Sequence, residues 1–228
     1  METKIQWGVR KAKARVLLVD DHPVLRKGLA QLINQDPRLA VCGEAEDAPQ
    51  AIKAIETLLP DLVIMDISLK LGNGIELLKT VKPHFPDLPV LVLSMHDETL
   101  YAERSLRAGA MGYLMKDEPA EQLLFAIGRV LAGEIFLSNR MKSRMMLQFA
   151  GRNGKAPSST LEQLTDRELE VFRLIGAGRT TRQIADHLHL SMHTVQAYRE
   201  FIKAKLKLPN STQLVQHAVH WTYGHAAA

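Results

Sequence analysis

The sequence predicts an α/β domain built on a parallel sheet, followed by a small all-α domain. Three observations lead there. Short runs rich in Val, Ile and Leu at 16–19, 62–65, 90–93 and 111–115 alternate with helical patterns, as buried parallel strands joined by helices do. Residues 161–222 carry helical patterns only. Between the two halves, Gly151-Arg-Asn-Gly-Lys-Ala-Pro-Ser-Ser-Thr160 is a polar Gly/Pro/Ser stretch, which reads as a flexible connection.

In chain order, the first strand leads to Pro23, a residue tolerated at the start of a helix because its missing N–H would have no partner there. Val24, Leu25, Leu29, Leu32 and Ile33 then recur at helical spacing. A second strand is expected near 40–44. Ala48, Ala51, Ile52, Ile55 and Leu59 form the next helical face, closed by Pro60. A third helix is expected over 74–81, a fourth from about Asp97 to Gly109, and a fifth from about Pro119 to Leu131, with Gly109 and Gly133 placed as stops. Residues 138–150 read as an amphipathic linker helix.

With 228 residues the chain has room for two small domains. Its one cysteine, Cys42, excludes an internal disulfide and fits a reducing compartment; its apolar run, 39–42, suggests a buried structural thiol. No apolar run approaches the ~20 residues of a membrane span. Residues 1–14 lack the apolar core of a secretory signal and read as a mobile basic arm. A cytoplasmic protein is expected. Charge is divided unevenly: residues 15–133 hold 12 Lys+Arg against 17 Asp+Glu, and residues 134–228 hold 13 against 7. An acidic half joined to a basic half suggests different partners, with a solvated surface or nucleic acid both open for the basic one.

The strands end in chemistry. The first is followed by Asp20-Asp21, the third by Asp66, the next by Ser94 and the last by Lys116. Open parallel sheets build sites at the carboxyl ends of their strands, so these residues are expected on one rim. Three acids crowd together only around a cation. Oxygen ligands with access to water suit Mg²⁺, and a lysine and a hydroxyl facing it suit a phosphoryl group.

Residues ~14–134 resemble the receiver domain of two-component response regulators. The resemblance rests on Asp20-Asp21, Asp66, Ser94, Tyr113 and Lys116, in that order. Gly-Tyr-Leu-Met-Lys-Asp at 112–117 and Ser-Met-His at 94–96 look like the NarL/FixJ branch. It implies a flavodoxin-like, doubly wound five-stranded sheet of order 2-1-3-4-5. It also implies that Asp66 accepts a phosphoryl group from a sensor histidine kinase. Asp66, Asp21 and the Ser68 backbone carbonyl would hold Mg²⁺, with Asp20 acting through water. Lys116 would neutralise a phosphoryl oxygen, Ser94 would move to the acyl phosphate, and Tyr113 would swing in behind it. His22 and His96 flank the site; imidazole suits Mg²⁺ poorly. His96 and Ser68 lie where family members tune attack of water on the acyl phosphate.

In the second half, Thr165-Asp-Arg-Glu168 is a capping box, with Leu169, Val171, Phe172 and Ile175 behind it. Residues 181–188 form a short helix, and Ser191 is a good N-cap for the next. Two helices joined by a tight turn are a helix-turn-helix pattern. Leu-Thr-Asp-Arg-Glu-Leu-Glu-Val at 164–171 and Gln-Ile-Ala-Asp-His-Leu-His-Leu-Ser at 183–191 resemble the LuxR-type four-helix DNA-binding domain. Double-stranded DNA is then the expected partner. Met192, His193, Gln196, Arg199, Glu200 and Lys203 would face outward from the third helix; Gln196 suits adenine, and Arg199 suits guanine or phosphate. Lys203, Lys205, Arg179, Thr181 and Arg182 would hold phosphates. Leu214, Val215, Ala218 and Val219 resemble the dimerisation helix, so a homodimer is expected, with simple packing as the other reading.

The expected organisation is a 1–14 arm, a 15–134 receiver, a 135–160 linker and a 161–228 DNA-binding domain. The expected function is phosphorylation-controlled transcription rather than enzymatic turnover, apart from Mg-dependent self-phosphorylation and autodephosphorylation. A phospho-switch acting through protein contact is the alternative. A haloacid-dehalogenase-type phosphohydrolase would want an acid two residues after the nucleophile, where Ser68 stands. A regulator that ignores phosphorylation is disfavoured by the complete acidic set. Two departures from the family stand out. Lys70 replaces the usual proline and would either loosen the acceptor loop or approach the phosphoryl group. Glu200 would either repel phosphate or accept from a cytosine amino group. Tyr198 and Phe201 depart from the family too.

Overall fold

Five strands build the sheet of the first unit: β1 Ala14–Val19, β2 Leu39–Ala45, β3 Leu62–Met65, β4 Val90–Ser94 and β5 Gly112–Met115. All pairings are parallel, in the order β2-β1-β3-β4-β5, the order the resemblance implies. In β1 and β3, Val16 through Val19 and Leu62 through Met65 are all buried. Helices cover both faces of such a sheet, which is why these strands read as unbroken apolar runs. The order reverses between β1 and β3, a switch point that opens a crevice at their carboxyl ends. In the computed structural model, residues 12–70, 72–149 and 160–224 are described. The chain divides into two units, Met1–Arg152 and Asn153–Ala228. Most of the expected N-terminal arm (1–11) and of the polar connection (150–159) lies outside the described residues.

The helices of the first unit are α1 Pro23–Gln35, α2 Ala48–Leu58, α3 Gly74–Val81, α4 Glu98–Arg107 and α5 Ala120–Leu131. Asp47, Asn73 and Asp97 cap α2, α3 and α4 by accepting from backbone amides inside the first turn. After α5 the chain returns to the sheet. The Phe136 amide donates to the Met111 carbonyl, and the Tyr113 amide donates to the Phe136 carbonyl. Phe136 and Leu137 are buried, and so is Met141 in α6 Asn139–Phe149. The sequence pattern did not show this return. Cys42, expected to be buried, is half-exposed, and burial still pushes its thiol up.

Two short segments after Asp66, Ser68–Leu69 and Gly72–Asn73, pair antiparallel and carry the chain into α3. Gly74 follows. A β-carbon there would lie 2.0 Å from the Asp66 carbonyl oxygen and 2.9 Å from its carbon. The Gly74 amide donates to the Ile67 carbonyl at 2.7 Å, so α3 is seated directly on the backbone that carries Asp66.

The second unit holds a 3₁₀ turn, Thr160–Gln163, and four helices: α7 Asp166–Gly176, α8 Thr181–Leu188, α9 Met192–Leu206 and α10 Ser211–Gly224. The capping box at Thr165 and Glu168 forms, and a second forms at Thr180 and Gln183. Leu169, Phe172, Ile175, Ile184, Val195, Ile202, Leu214 and Ala218 make the core. At Gly176 a β-carbon would lie 2.5 Å from the Ala218 carbonyl, so the crossing of α7 and α10 depends on that glycine.

Gly74→Ala is expected to destabilise the first unit. Overpacking costs about 1–3 kcal/mol, against a helix-propensity gain of about 0.5–1 kcal/mol. A lower urea midpoint by circular dichroism is the expected result, and an unchanged midpoint would show that the loop yields.

Candidate functional site

The backbone of each rim residue is held by its neighbouring strand. The Asp20 amide donates to Ala45, the Asp66 amide to Val19 at 2.8 Å, and the Lys116 amide to Ser94 at 2.9 Å. Side chains then converge. Lys116 Nζ lies 2.6 Å from Asp20 Oδ2 and 2.7 Å from Asp66 Oδ2. Asp20 and Asp66 are 3% and 4% exposed, and the Lys116 side chain is 4% exposed. Asp66 Oδ1 accepts from the Ile67 amide at 2.7 Å, and the Ser94 hydroxyl also bonds the Asp66 carboxyl. Asp20 is therefore no helix cap: its second oxygen accepts from the His22 amide, while α1 starts without a side-chain cap.

Burial pushes the Asp66 carboxyl above the usual carboxylate range, and the Lys116 ammonium opposes that only in part. Lys116 is the mirror case. Burial works against its charge, but Asp66 and Asp20 together hold it above its ordinary value.

Asp20, Asp21, His22 and Asp66 each offer a ligand atom, all within 4.8 Å of one another. Asp21 Oδ1 is buried and makes no hydrogen bond; His22 Nδ1 is 2.7 Å away but not aligned to donate. A buried acceptor without a donor, beside two further carboxylates, fits a hard cation. The His22 side chain is largely exposed.

Around Asp66, Ser68 Oγ and His96 Nε2 are 3.0 Å apart, and His96 stacks on Tyr101 at 4.8 Å. Tyr113 is buried, and its hydroxyl donates to the His96 carbonyl at 2.6 Å. The ring that the resemblance implies would swing inward is thus already inward. Lys70 does not approach Asp66; its ammonium pairs with Glu46 at 3.3 Å. The spacing of residues pointed to neither the Ser68–His96 bridge nor Gly74, because both depend on how two loops meet.

In the second unit, His193, Gln196 and Glu200 are exposed along α9, as are Arg179 and Arg182 before and within α8. Thr181 and Arg199 are half-buried, and burial lowers the Arg199 guanidinium. Lys205 is committed elsewhere: its Nζ lies 2.6 Å from buried Glu168 Oε2, tying α9 to the cap of α7. Lys203 pairs with Glu200 at 2.8 Å. The expected dimerisation set also divides. Leu214 and Ala218 are fully buried inside the unit, whereas Val215 and Val219 are exposed. A spacing of four keeps each pair on its own stripe of α10, so Leu214 and Ala218 serve the core and cannot form a surface contact.

A strand-end acid and lysine cluster on a switch-point crevice, with a helix-turn-helix unit after it, defines a phospho-switch coupled to a DNA-binding module. Residues 16–128 match the response regulator receiver domain family. Residues 162–218 match the family described as bacterial regulatory proteins, luxR family. The oxygen regulatory protein NreC of Staphylococcus carnosus is 32% identical over 209 residues, covering 90% of this chain and 96% of that protein. The crystal structure of a LuxR-family two-component response regulator from Aurantimonas sp. SI85-9A1 is 33% identical, with a TM-score of 0.57, covering 61% of this chain and 99% of that one. RcsB of Salmonella enterica serovar Typhimurium, bound to promoter rprA in the presence of phosphomimetic BeF3-, is 27% identical, with a TM-score of 0.61, covering 91% and 98%. The chain belongs to the two-component response regulators that join a receiver domain to a LuxR-type helix-turn-helix domain. It is a DNA-binding transcriptional regulator. Among the described residues no helix is long and apolar enough to cross a membrane.

The raised Asp66 carboxyl has a consequence for stability. Its ionisation opposes folding, so the penalty is absent below the unfolded value of about 3.9 and complete once pH exceeds the folded value. In EDTA at neutral pH, Asp66→Asn is expected to melt at a higher temperature than the wild type, and the gap is expected to close as pH falls toward 4. A variant less stable than the wild type at neutral pH would mean that the ionised carboxylate supports the fold, contrary to this expectation.

Proposed function

We propose that Asp66 is the phosphoacceptor and that its phosphorylation controls DNA binding by the second unit. The observation that carries this reading is the buried trio of Asp20, Asp66 and Lys116 at the strand ends, with the donorless Asp21 oxygen beside it. An Asp66 oxygen attacks the phosphorus of a phosphohistidine on the sensor kinase. The P–N bond breaks as the P–O bond forms, and the electron pair leaves on the imidazole nitrogen. Such a transfer needs positioning and charge neutralisation more than acid/base work. Lys116 neutralises one phosphoryl oxygen. Asp21, Asp66 and the Ser68 carbonyl would hold Mg²⁺, and Asp20 would act on it through water. Bound there, Mg²⁺ supplies charge neutralisation on the phosphoryl oxygens. A small phosphodonor would serve the same nucleophile, giving self-phosphorylation, and attack of water on the phosphorus would break the acyl P–O bond to give the Asp66 carboxylate and inorganic phosphate.

Ser94, bonded to Asp66 in this structure, exchanges that bond for one to the acyl phosphate. Tyr113 stays behind it through the His96 carbonyl. The equilibrium between DNA-incompetent and DNA-competent arrangements shifts as a result. In the second unit α9 enters the major groove. His193, Gln196 and Arg199 lie along it toward the bases, and Arg179, Thr181, Arg182 and Lys203 contact phosphates. Lys205 contributes through Glu168. The DNA-bound RcsB relative supports this reading of the fold. Val215 and Val219 supply the apolar surface for a homodimer on a two-fold site. The protein acts in the cytoplasm.

Duplex binding is expected to tighten when Mg²⁺ and acetyl phosphate are added to the wild type, and to stay unchanged for Asp66→Ala. Equal binding under all conditions would leave a transcription factor without its switch. Phosphorylation without any salt-dependent DNA binding would favour action through protein contact. Asp21→Asn is expected to weaken Mg²⁺ binding by at least about tenfold in calorimetry; an unchanged affinity would remove Asp21 from the ligand set.

A further inference from the structure

The exposed face of α9 carries an acid where charge alone argues against one. The Glu200 side chain is 54% exposed. Its Oε1 accepts from Gln196 Nε2 at 3.1 Å, and its Oε2 lies 2.8 Å from Lys203 Nζ. Positions four before and three after it share one stripe of a helix, so Gln196, Glu200 and Lys203 form a continuous polar row. The row orders itself. An ionised carboxylate can only accept, so Gln196 must turn its NH₂ group toward Glu200, and the amide orientation is set. Lys203 offsets the charge that would otherwise repel phosphates. Both Glu200 oxygens keep acceptor capacity beyond these bonds, since a carboxylate has about four acceptor sites.

That leftover capacity has a definite complement in the major groove. Guanine shows two acceptors there, and thymine an acceptor and a methyl group. Both are wrong for a carboxylate. Adenine offers a donor beside the N7 acceptor, which suits the mixed edge of a glutamine and sets N7 against a second carboxylate oxygen. Cytosine offers an amino donor, the group that Glu accepts from.

We propose that Glu200 is a specificity-determining residue that selects a cytosine in each DNA half-site, held in place by Gln196 and Lys203. The proposal rests on the reading of α9 as the groove-entering helix. A neutral residue at 200 would bind the same duplexes with less choice at that base, because phosphate contacts supply affinity while base contacts supply sequence.

The test is selection from a randomised duplex library by the full chain with Mg²⁺ and acetyl phosphate, using the wild type and Glu200→Gln. The wild type is expected to enrich cytosine at one position of each half-site. Glu200→Gln is expected to retain the rest of the motif and lose that position. Replacing the selected C·G pair by T·A is expected to weaken the wild type on the order of tenfold and the variant little. Identical motifs from both proteins would overturn the proposal while leaving α9 as the DNA-binding helix. Loss of all binding by Glu200→Gln with helicity intact would also overturn it, since the carboxylate would then serve affinity and not base choice. A wild type that enriches no sequence, even at low salt, would sink the groove reading beneath it.

Discussion

One ammonium group holds the first unit's site together. Lys116 stands at the end of β5 and bonds carboxylates at the ends of β1 and β3. Ion pairs this deeply buried gain little net stability, because desolvation offsets attraction. What the pair fixes is geometry: two acids that repel each other are kept within reach of one phosphoryl-sized space. Burial keeps the Asp66 carboxyl above the carboxylate range despite its lysine, and the buried Asp21 oxygen accepts no hydrogen bond. Such a site is suited to a dication and to an exchangeable anion.

The backbone beneath the site is equally constrained. The close approach at Gly74 seats α3 on the Asp66 carbonyl, so the acceptor cannot shift without moving a helix. On the other side, the Tyr113 hydroxyl holds the His96 carbonyl, and His96 reaches Ser68. Ser68 lies two residues after the acceptor, and His96 two residues after Ser94. The loops after β3 and β4 are therefore linked by a chain of hydrogen bonds that begins at Tyr113. The Tyr113 amide in turn bonds Phe136, so a change at the acceptor loop meets the segment leading into α6 within a few bonds.

Much of this was legible in the sequence, for reasons that differ by element. The runs in β1, β3, β4 and β5 were readable because burial on both faces leaves only apolar residues in them, whereas β2 is half-buried and carries Glu44; the rim residues were readable because a strand end is marked by the first polar residue after such a run. The strand order was not readable from periodicity; only the family resemblance implied it. The return of Phe136 to the sheet was missed because a single bridge has no periodic signature. Pairing between loops, as in Ser68 with His96 or Lys70 with Glu46, depends on tertiary geometry that no local pattern encodes. Leu214 and Ala218 were misassigned because apolar residues on one helix look alike until the core has chosen its stripe.

The second unit shows how far formal charge overstates the cations available to a partner. Of the lysines and arginines between Asp166 and Lys207, Lys205 is occupied by Glu168 and Arg167 by Glu170 and the Leu188 carbonyl. Lys203, expected to face outward, is mostly covered, its side chain 17% exposed, and it pairs with Glu200. Among the described residues, Arg179 and Arg182 make no ion pair, and both are exposed at the start of α8. A polyanion therefore meets two kinds of basic residue here. Some are free to neutralise it, and others are already paired with acids of the protein itself. The first kind sets how strongly binding depends on salt. The second brings less net charge to a polyanion, because a lysine paired with an exposed acid, as Lys203 is with Glu200, is already partly neutralised.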